Sequence, residues 1–392
     1  MKNILFISEN INERVSKQII SLSKTKKFNL YLATTCNQGL NIKKIRKYVN
    51  EIYFYSYSKN KLIKKLQKYG FFGTSSFDFE LKNLNKILKT RIFDLVHIHA
   101  PPNRPFGQII DSIQCPYIID MYDPTYFYGP SRFYSKQELD SERALLENSS
   151  AILTKFPNEL YLKYQEEGFD IIKKPRLIFP DYCSSENIIN KIHVKKSQTS
   201  LAYCGGSDFP LIPKKFAGNN IFIEMCRKLL KNNIKISLIS NSFDNKIINN
   251  LLNAQYYYIS RKDNNLSLYP YISSPNLQEF LSGFDFGLQI HDFSKTGHNK
   301  IFGETSFGNK FFTYLESGIP IISNSELKWN SFWINEFNVG ISVPLQNLKE
   351  LPSRISNFDL EKAVKNIRAL ARNELNMDFN INKLVNFYNN IL

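Results

Sequence analysis

The chain never runs for about 18 apolar residues without interruption, so no membrane-spanning helix is expected among its 392 residues. The opening MKNILFISEN has neither a long apolar core nor a small-residue cleavage site, and reads as a strand rather than a leader. Cysteine is scarce. The five present (Cys36, Cys115, Cys183, Cys204 and Cys226) are scattered and form no CxxC pair, which argues against a zinc site or a disulfide framework and fits a reducing cytosol. Acidic residues are also in deficit: 35 against 51 basic ones leaves a formal charge of +16, which favours anionic partners such as nucleic acid, acidic lipid or phosphorylated substrates. A Lys-, Asn- and Ile-rich composition accounts for part of that excess, so local clustering carries more weight than the total. Internal repeats and low-complexity blocks are absent. The 43% apolar content argues against disorder, and the length allows two domains with separate cores.

What is present is an alternation of strands and helices. Strands are expected at Ile4–Ser8, Leu30–Thr34, Phe93–His99, Tyr117–Met121, Ala151–Lys155 and Leu177–Phe179, with helices at Glu13–Ser23 and Lys136–Asn148. The pattern lapses into polar sequence from Asp181 to Thr199 and then resumes. The second series places strands at Ser200–Cys204, Ile234–Ile239, Tyr256–Ser260 and Asp285–His291, and helices at Ile221–Lys231 and Asn245–Leu252. Ser274-Pro275 reads as an N-cap followed by proline at the first helical position, and Gly283 as the end of that helix. Helices near Leu360–Leu375 and Ile381–Ile391 finish the chain. The expected division is 1–180, a linker at 181–199, a second domain at 200–375, and a C-terminal helix at 376–392 packing back on the first domain. Sheets of this class bind ligands beyond the carboxyl ends of their strands, which selects the loops at His99–Asn103, Tyr122–Pro124, Gly205–Asp208 and His291–Asp292.

The segment GNKFFTYLESGIPIISN (308–324) is the most telling. Gly318 suits the position just past a helix end, and the following Ile-Pro-Ile-Ile reads as a buried strand. At about 100° per residue, Phe311, Phe312 and Leu315 share one face, leaving Lys310, Thr313, Tyr314 and Ser317 on the other. A helix N-terminus favours anions, so Lys310 in the first turn makes a phosphate seat; a solvent-facing lysine is the plain alternative.

These residues carry a resemblance. GNKFFTYLESGIPII resembles the donor-site helix of the GT-B glycosyltransferases, in particular the large group with retaining members that serves polysaccharide and glycolipid synthesis. FDLVHIHAPP, PYIIDMYDP and SLAYCGG are similar to three further segments of that group, in the same order along nearly the whole chain. The resemblance implies an α/β protein of GT-B type, with two Rossmann-like doubly wound domains facing a central cleft. It implies a nucleotide-sugar donor in the second domain and a glycan or lipid-linked acceptor in the first, in cell-surface polysaccharide or glycoconjugate synthesis. Three positions depart from the pattern. The first loop carries Ser8-Glu9-Asn10 in place of paired glycines, Tyr122 stands where a histidine is usual, and Thr313 stands where the donor helix usually has a ribose-binding Glu, with Glu316 displaced.

The resemblance suggests donor contacts at Gly205, Gly206, Lys215 (beside Lys214), Tyr271, Ile272, His291, Asn309, Lys310, Thr313 and Tyr314. Acceptor contacts fall to Asn10, Asn103 and Tyr122, with Asp123 and His99 as the catalytic candidates. Each has a plainer reading: a tight turn for the glycines, a turn-capping Asp123, a Tyr314 packed at the edge. Asp123 ends a strand before a proline and would act as general base or orient the acceptor hydroxyl. His97, one pleat from His99, is expected to face a helix. No clustered D-x-D motif ends a strand, so no metal or other cofactor is expected, and Lys310 with helix N-termini would neutralise the leaving diphosphate.

The segment 41–72 mixes lysines and aromatics, with Leu62, Ile63 and Leu66 at helical spacing, which suits either an anionic membrane surface or a packed helix with a solvated lysine face. The expectation is a cytoplasmic enzyme that binds no nucleic acid, peripheral on the inner face of the plasma membrane if that segment engages lipid. The alternatives are a non-catalytic basic protein of this fold binding nucleic acid or an anionic surface, and a GT-B-fold sugar epimerase.

Overall fold

The computed structural model describes residues 1–35, 40–55, 76–100, 106–128, 135–190, 197–205, 220–240, 243, 254–291 and 300–392. Two compact units emerge: Met1–Asp181 with Asn380–Leu392, and Tyr182–Phe379.

In the first unit, strands β1 (Lys2–Ser8), β2 (Phe28–Thr34), β3 (Glu51–Phe54), β4 (Leu95–Ala100), β5 (Tyr117–Met121), β6 (Ala151–Thr154) and β7 (Arg176–Ile178) form a sheet in the order β3-β2-β1-β4-β5-β6-β7. Every pairing is parallel. Helices α1 (Glu13–Thr25), α2 (Leu40–Ile45), α3 (Ser76–Thr90), α4 (Thr125–Tyr128), α5 (Lys136–Asn148) and α6 (Asn158–Glu166) follow the strands. In β1 all of Ile4–Ile7 is buried, as expected of a strand walled on both faces. Helix α5 begins with a full capping box in which Ser135 and Glu138 each satisfy the other's backbone N–H.

The second unit repeats the plan. Strands β8 (Ser200–Cys204), β9 (Lys235–Ile239), β10 (Leu266–Tyr269), β11 (Phe286–Gln289), β12 (Ile321–Asn324) and β13 (Gly340–Val343) lie in the order β10-β9-β8-β11-β12-β13, again all parallel. Its helices are α7 (Asn220–Lys231), α8 (Ala254–Lys262), α9 (Asn276–Leu281), α10 (Lys300–Thr305), α11 (Asn309–Glu316), α12 (Lys328–Phe337), α13 (Leu351–Ser356) and α14 (Leu360–Arg372). Helix α15 (Met377–Asn389) carries the chain from the second unit into the first. In each sheet the strand order reverses once, between β1 and β4 and between β8 and β11. Such a switch point opens a crevice at the strand ends where ligands bind.

Two local expectations fail. Tyr256–Ser260 is not a strand but the middle of α8; the aromatic run favours β structure locally, yet Tyr256 is buried against the core while Tyr258 points out at 60% exposure. The strand comes later, at β10, after a turn in which the Asn265 N–H donates to Asp263 Oδ1 at 2.9 Å. Ser274 does not cap α9: Pro275 occupies the cap position and no side-chain hydrogen bond is made there. The expected helix at Asn245–Leu252 lies outside the described residues.

Candidate functional site

In the second unit the β8/β11 switch point gathers several candidates. Gly205 follows β8 with φ of +142°, and a Cβ built there would lie 2.4 Å from Lys310 Cε. A glycine is therefore needed twice over, for the backbone angle and to let the lysine side chain lie across the turn. Lys310 is in the first turn of α11, with its ammonium 5.1 Å from the centre of the Tyr203 ring. Burial pushes the neighbouring Cys204 thiol up, and the Lys310 charge partly offsets that. The arrangement brings a positive charge, a bare backbone turn and a helix N-terminus to one strand end, which is chemistry suited to a diphosphate.

Tyr314 requires a correction. It lies with the core, fully buried, not on the polar face of α11. Its ring lies against Gly287 of β11, where a Cβ would come within 2.4 Å. Its hydroxyl donates to the Leu288 carbonyl at 2.8 Å and accepts from the Cys204 N–H at 3.3 Å. The β8/β11 pairing covers only Phe286↔Leu201 and Gly287↔Ala202. Where the two strands part, Tyr314 supplies the hydrogen bonds the ladder no longer makes, which leaves it no role as a ligand-facing group. Ser317 is buried as well, and its hydroxyl donates to the Thr313 carbonyl at 2.7 Å.

Thr313 is half-buried, its hydroxyl donating to the Asn309 carbonyl at 3.2 Å. Glu316 points inward, accepting from the Ser184 N–H at 2.8 Å and Gln278 Nε2 at 2.7 Å, and so ties the chain entering the unit to α11 and α9. Gly318, with φ of +74°, ends the helix, and Ile319 N–H reaches back to the Tyr314 carbonyl. Asn309 is exposed, as is Tyr271 (63%), while Ile272 is half-buried just beyond β10. His291 follows β11 half-buried, its N–H held by Asn324 Oδ1 at 2.8 Å. Gly206, Lys214 and Lys215 lie outside the described residues.

In the first unit, Asp123 is a quarter exposed and pairs with Lys155, the residue after β6, at 3.3 Å. Lys155 is nearly buried, and its ammonium stands 3.7 Å from the centre of the Tyr122 ring. The Tyr122 ring in turn lies 5.1 Å from that of His99. His99 is 5% exposed; its Nε2 meets Asn12 Nδ2 at 3.0 Å and its Nδ1 meets Asp120 Oδ2 at 3.4 Å. His97 faces α15, as expected, with Nδ1 2.6 Å from the Tyr388 hydroxyl. Asn10 is exposed in the loop after β1. Asn103 lies outside the described residues.

Sequence reasoning passed over the groups that organise these side chains. Arg14, fully buried, places Nε 2.8 Å from Asp120 Oδ2, Nη2 2.8 Å from Asp120 Oδ1 and Nη1 2.9 Å from Asp181. Burial by itself would raise the Asp120 carboxyl, but Arg14, with His97 and His99, holds it well below the usual range. Glu142, on α5, accepts from the Thr125 N–H and the Tyr164 hydroxyl, which fixes the turn just after Asp123; burial raises its carboxyl. Lys155 was within reach of the strand-end rule that selected Asp123. Arg14 and Asp120 carry no local signal, because they are 106 positions apart.

Residues 230–386 match the family model of the glucosyltransferase 3-like C-terminal domain. A sucrose-phosphate synthase from Thermosynechococcus elongatus superposes over 100% of this chain and 99% of its own, with a TM-score of 0.68 at 13% identity. HepE from Anabaena, in complex with UDP and glucose, covers 100% of both chains with a TM-score of 0.64 at 10% identity. The chain has the GT-B fold, and over residues 230–386 it is similar to a glucosyltransferase family. A Listeria monocytogenes protein assigned as a UDP-N-acetylglucosamine 2-epimerase also matches, over 98% of this chain and 94% of its own, with a TM-score of 0.60 at 10% identity. At such identities the structural likeness speaks for the GT-B fold alone, and it is the family match that points to transfer. No curated protein matches this chain in sequence.

Proposed function

We propose that the chain transfers a sugar from a nucleotide-sugar donor, held in the second unit, to a hydroxyl of a glycan or lipid-linked acceptor held in the first. The observation that carries this reading is the Gly205–Lys310 juxtaposition at the β8/β11 switch point. The HepE structure with UDP and glucose supports a uridine nucleotide as the first donor to try. In this scheme the bond between the anomeric carbon and the phosphate oxygen breaks, and the Lys310 ammonium with the N-terminal N–H groups of α11 stabilises the departing diphosphate without a metal. The acceptor oxygen bonds to the anomeric carbon, and its proton passes to Asp123, or to the departing diphosphate with Asp123 orienting the hydroxyl.

The acceptor would belong to cell-surface polysaccharide or glycoconjugate synthesis, and the enzyme would work at an anionic membrane face. Among the described residues no helix is long and apolar enough to cross a membrane. Support for surface attachment comes from α2 and the turn after it, where Lys43, Arg46 and Lys47 are exposed beside buried Ile42 and Ile45. The rest of the basic segment, from 56 to 72, lies outside the described residues. Flotation with anionic and neutral liposomes tests attachment, and equal recovery with both rejects it.

For the transfer itself, calorimetry with UDP-glucose should show Lys310→Ala losing affinity while the fold persists. Asp123→Asn should lose turnover with affinity intact. Unchanged affinity in the first variant, or full turnover in the second, overturns the corresponding assignment.

A further inference from the structure

The loop and helix that follow β1 bear on His99 through hydrogen-bond chemistry alone. Asn12 caps α1: the Val15 N–H lies 3.0 Å from its side-chain oxygen. A backbone N–H can only donate, so the side-chain atom facing it must be Oδ1. The other terminal atom is then the amide nitrogen, and that atom stands 3.0 Å from His99 Nε2. An amide NH2 can only donate, so Nε2 must present a lone pair. A neutral imidazole has one N–H and one lone pair, which puts the hydrogen on Nδ1.

The other side of the ring agrees independently. Nδ1 faces Asp120 Oδ2 at 3.4 Å, and a carboxylate there needs a donor. Asp120 cannot turn away, since Arg14 Nε and Nη2 and Gln18 Nε2 (3.1 Å) hold both its oxygens.

We infer that Asn12 and Asp120 are positioning residues that hold His99 as its Nδ1–H tautomer, so that its Nε2 can receive a hydroxyl hydrogen but not a phosphate oxygen. The inference rests on the proposed placement of the acceptor in the first unit only for its use, not for its geometry. An incoming sugar hydroxyl replaces the Asn12 amide at Nε2 by donating to the same lone pair. A phosphate oxygen would meet that lone pair, with the Asp120 carboxylate beyond the ring. The acceptor is therefore read here through a hydroxyl, and any phosphate it carries must be bound elsewhere.

Long-range proton–nitrogen correlation spectra of 15N-histidine-labelled protein test this without donor or acceptor, so failure here is distinct from failure of the transferase reading. His99→Gln assigns the signal. In the wild type, His99 should show a protonated Nδ1 and an unprotonated Nε2. Asn12→Asp keeps a good helix cap but sets a carboxylate against Nε2, so Nε2 should then carry a hydrogen. Inorganic phosphate at tens of millimolar should leave the wild-type ring signals where they are. An Nε2–H tautomer in the wild type, an unchanged ring in a folded Asn12→Asp, or a phosphate-induced proton on Nε2 each overturns the inference.

Discussion

The Gly205–Lys310 contact can be tested as a pair. An alanine Cβ at Gly205 would sit 2.4 Å from Lys310 Cε and 2.8 Å from Nζ, whereas ordinary contacts begin at 3.4 Å. The lysine must therefore retreat by about 1 Å or swing aside, because the turn itself is fixed by the Gly205 N–H to the Ile239 carbonyl at 3.0 Å. Two effects follow. The backbone angle of +142° becomes strained, which costs about 1–3 kcal/mol of stability. Displacing the ammonium removes a charge-assisted hydrogen bond to the diphosphate, worth about 1.5–3 kcal/mol, or roughly 10- to 150-fold in affinity. Calorimetry with UDP-glucose and thermal melts separate the two. Lys310→Ala should lose the affinity and keep the stability; Gly205→Ala should lose some of both. In the double variant the second loss of affinity should vanish while the strain remains, giving a coupling as large as the Gly205→Ala affinity loss. If Gly205→Ala costs as much affinity without Lys310 as with it, the glycine does not serve the lysine and the reasoning fails.

Arg14→Met should destabilise the first unit by about 3–5 kcal/mol, since it leaves Asp120 and Asp181 buried without their cation; denaturant unfolding that shifts by less than about 1 kcal/mol would show the network to be slack. Tyr314→Phe should cost about 1–3 kcal/mol by orphaning the Leu288 carbonyl and the Cys204 N–H, and should leave UDP-glucose affinity unchanged; a loss of affinity in the folded variant would refute the buried role. His97 is buried, which lowers its pKa although Asp120 partly resists. The unfolded chain therefore binds the proton first as pH falls below about 6.5, and stability should decline across that range in the wild type and not in a folded His97→Gln variant, as followed by melting temperature against pH.

Much of the plan could be read locally. Tyr117–Met121 and Ser200–Cys204 are strands over the expected residues because each is a short apolar run buried on both faces. Lys136–Asn148 is a helix over the expected span because Ser135 and Glu138 write its start into adjacent residues. Gly318 ends α11 because only a residue at ease with positive φ suits that turn. The candidate residues of each unit were legible to the extent that they depend on element ends: Gly205 in the second unit and Asp123 and His99 in the first were named from strand ends, and Lys310 from a helix N-terminus.

The remainder was settled by partners distant in sequence. Helical periodicity supplies one apolar face, but α11 is enclosed on more sides than one: Tyr314 lies against β8 and β11, and Glu316 against the chain at 184–187. A residue on the nominally polar side of such a helix is buried if the tertiary structure offers its hydroxyl or carboxylate a partner. Arg14 meets Asp181 across 167 positions, and Lys155 meets Asp123 across 32. Apolar burial follows a short period along the chain, while pairing of buried polar groups obeys no period at all, so the strands and helices could be read from the sequence and the hydrogen-bonded centre of the candidate site could not.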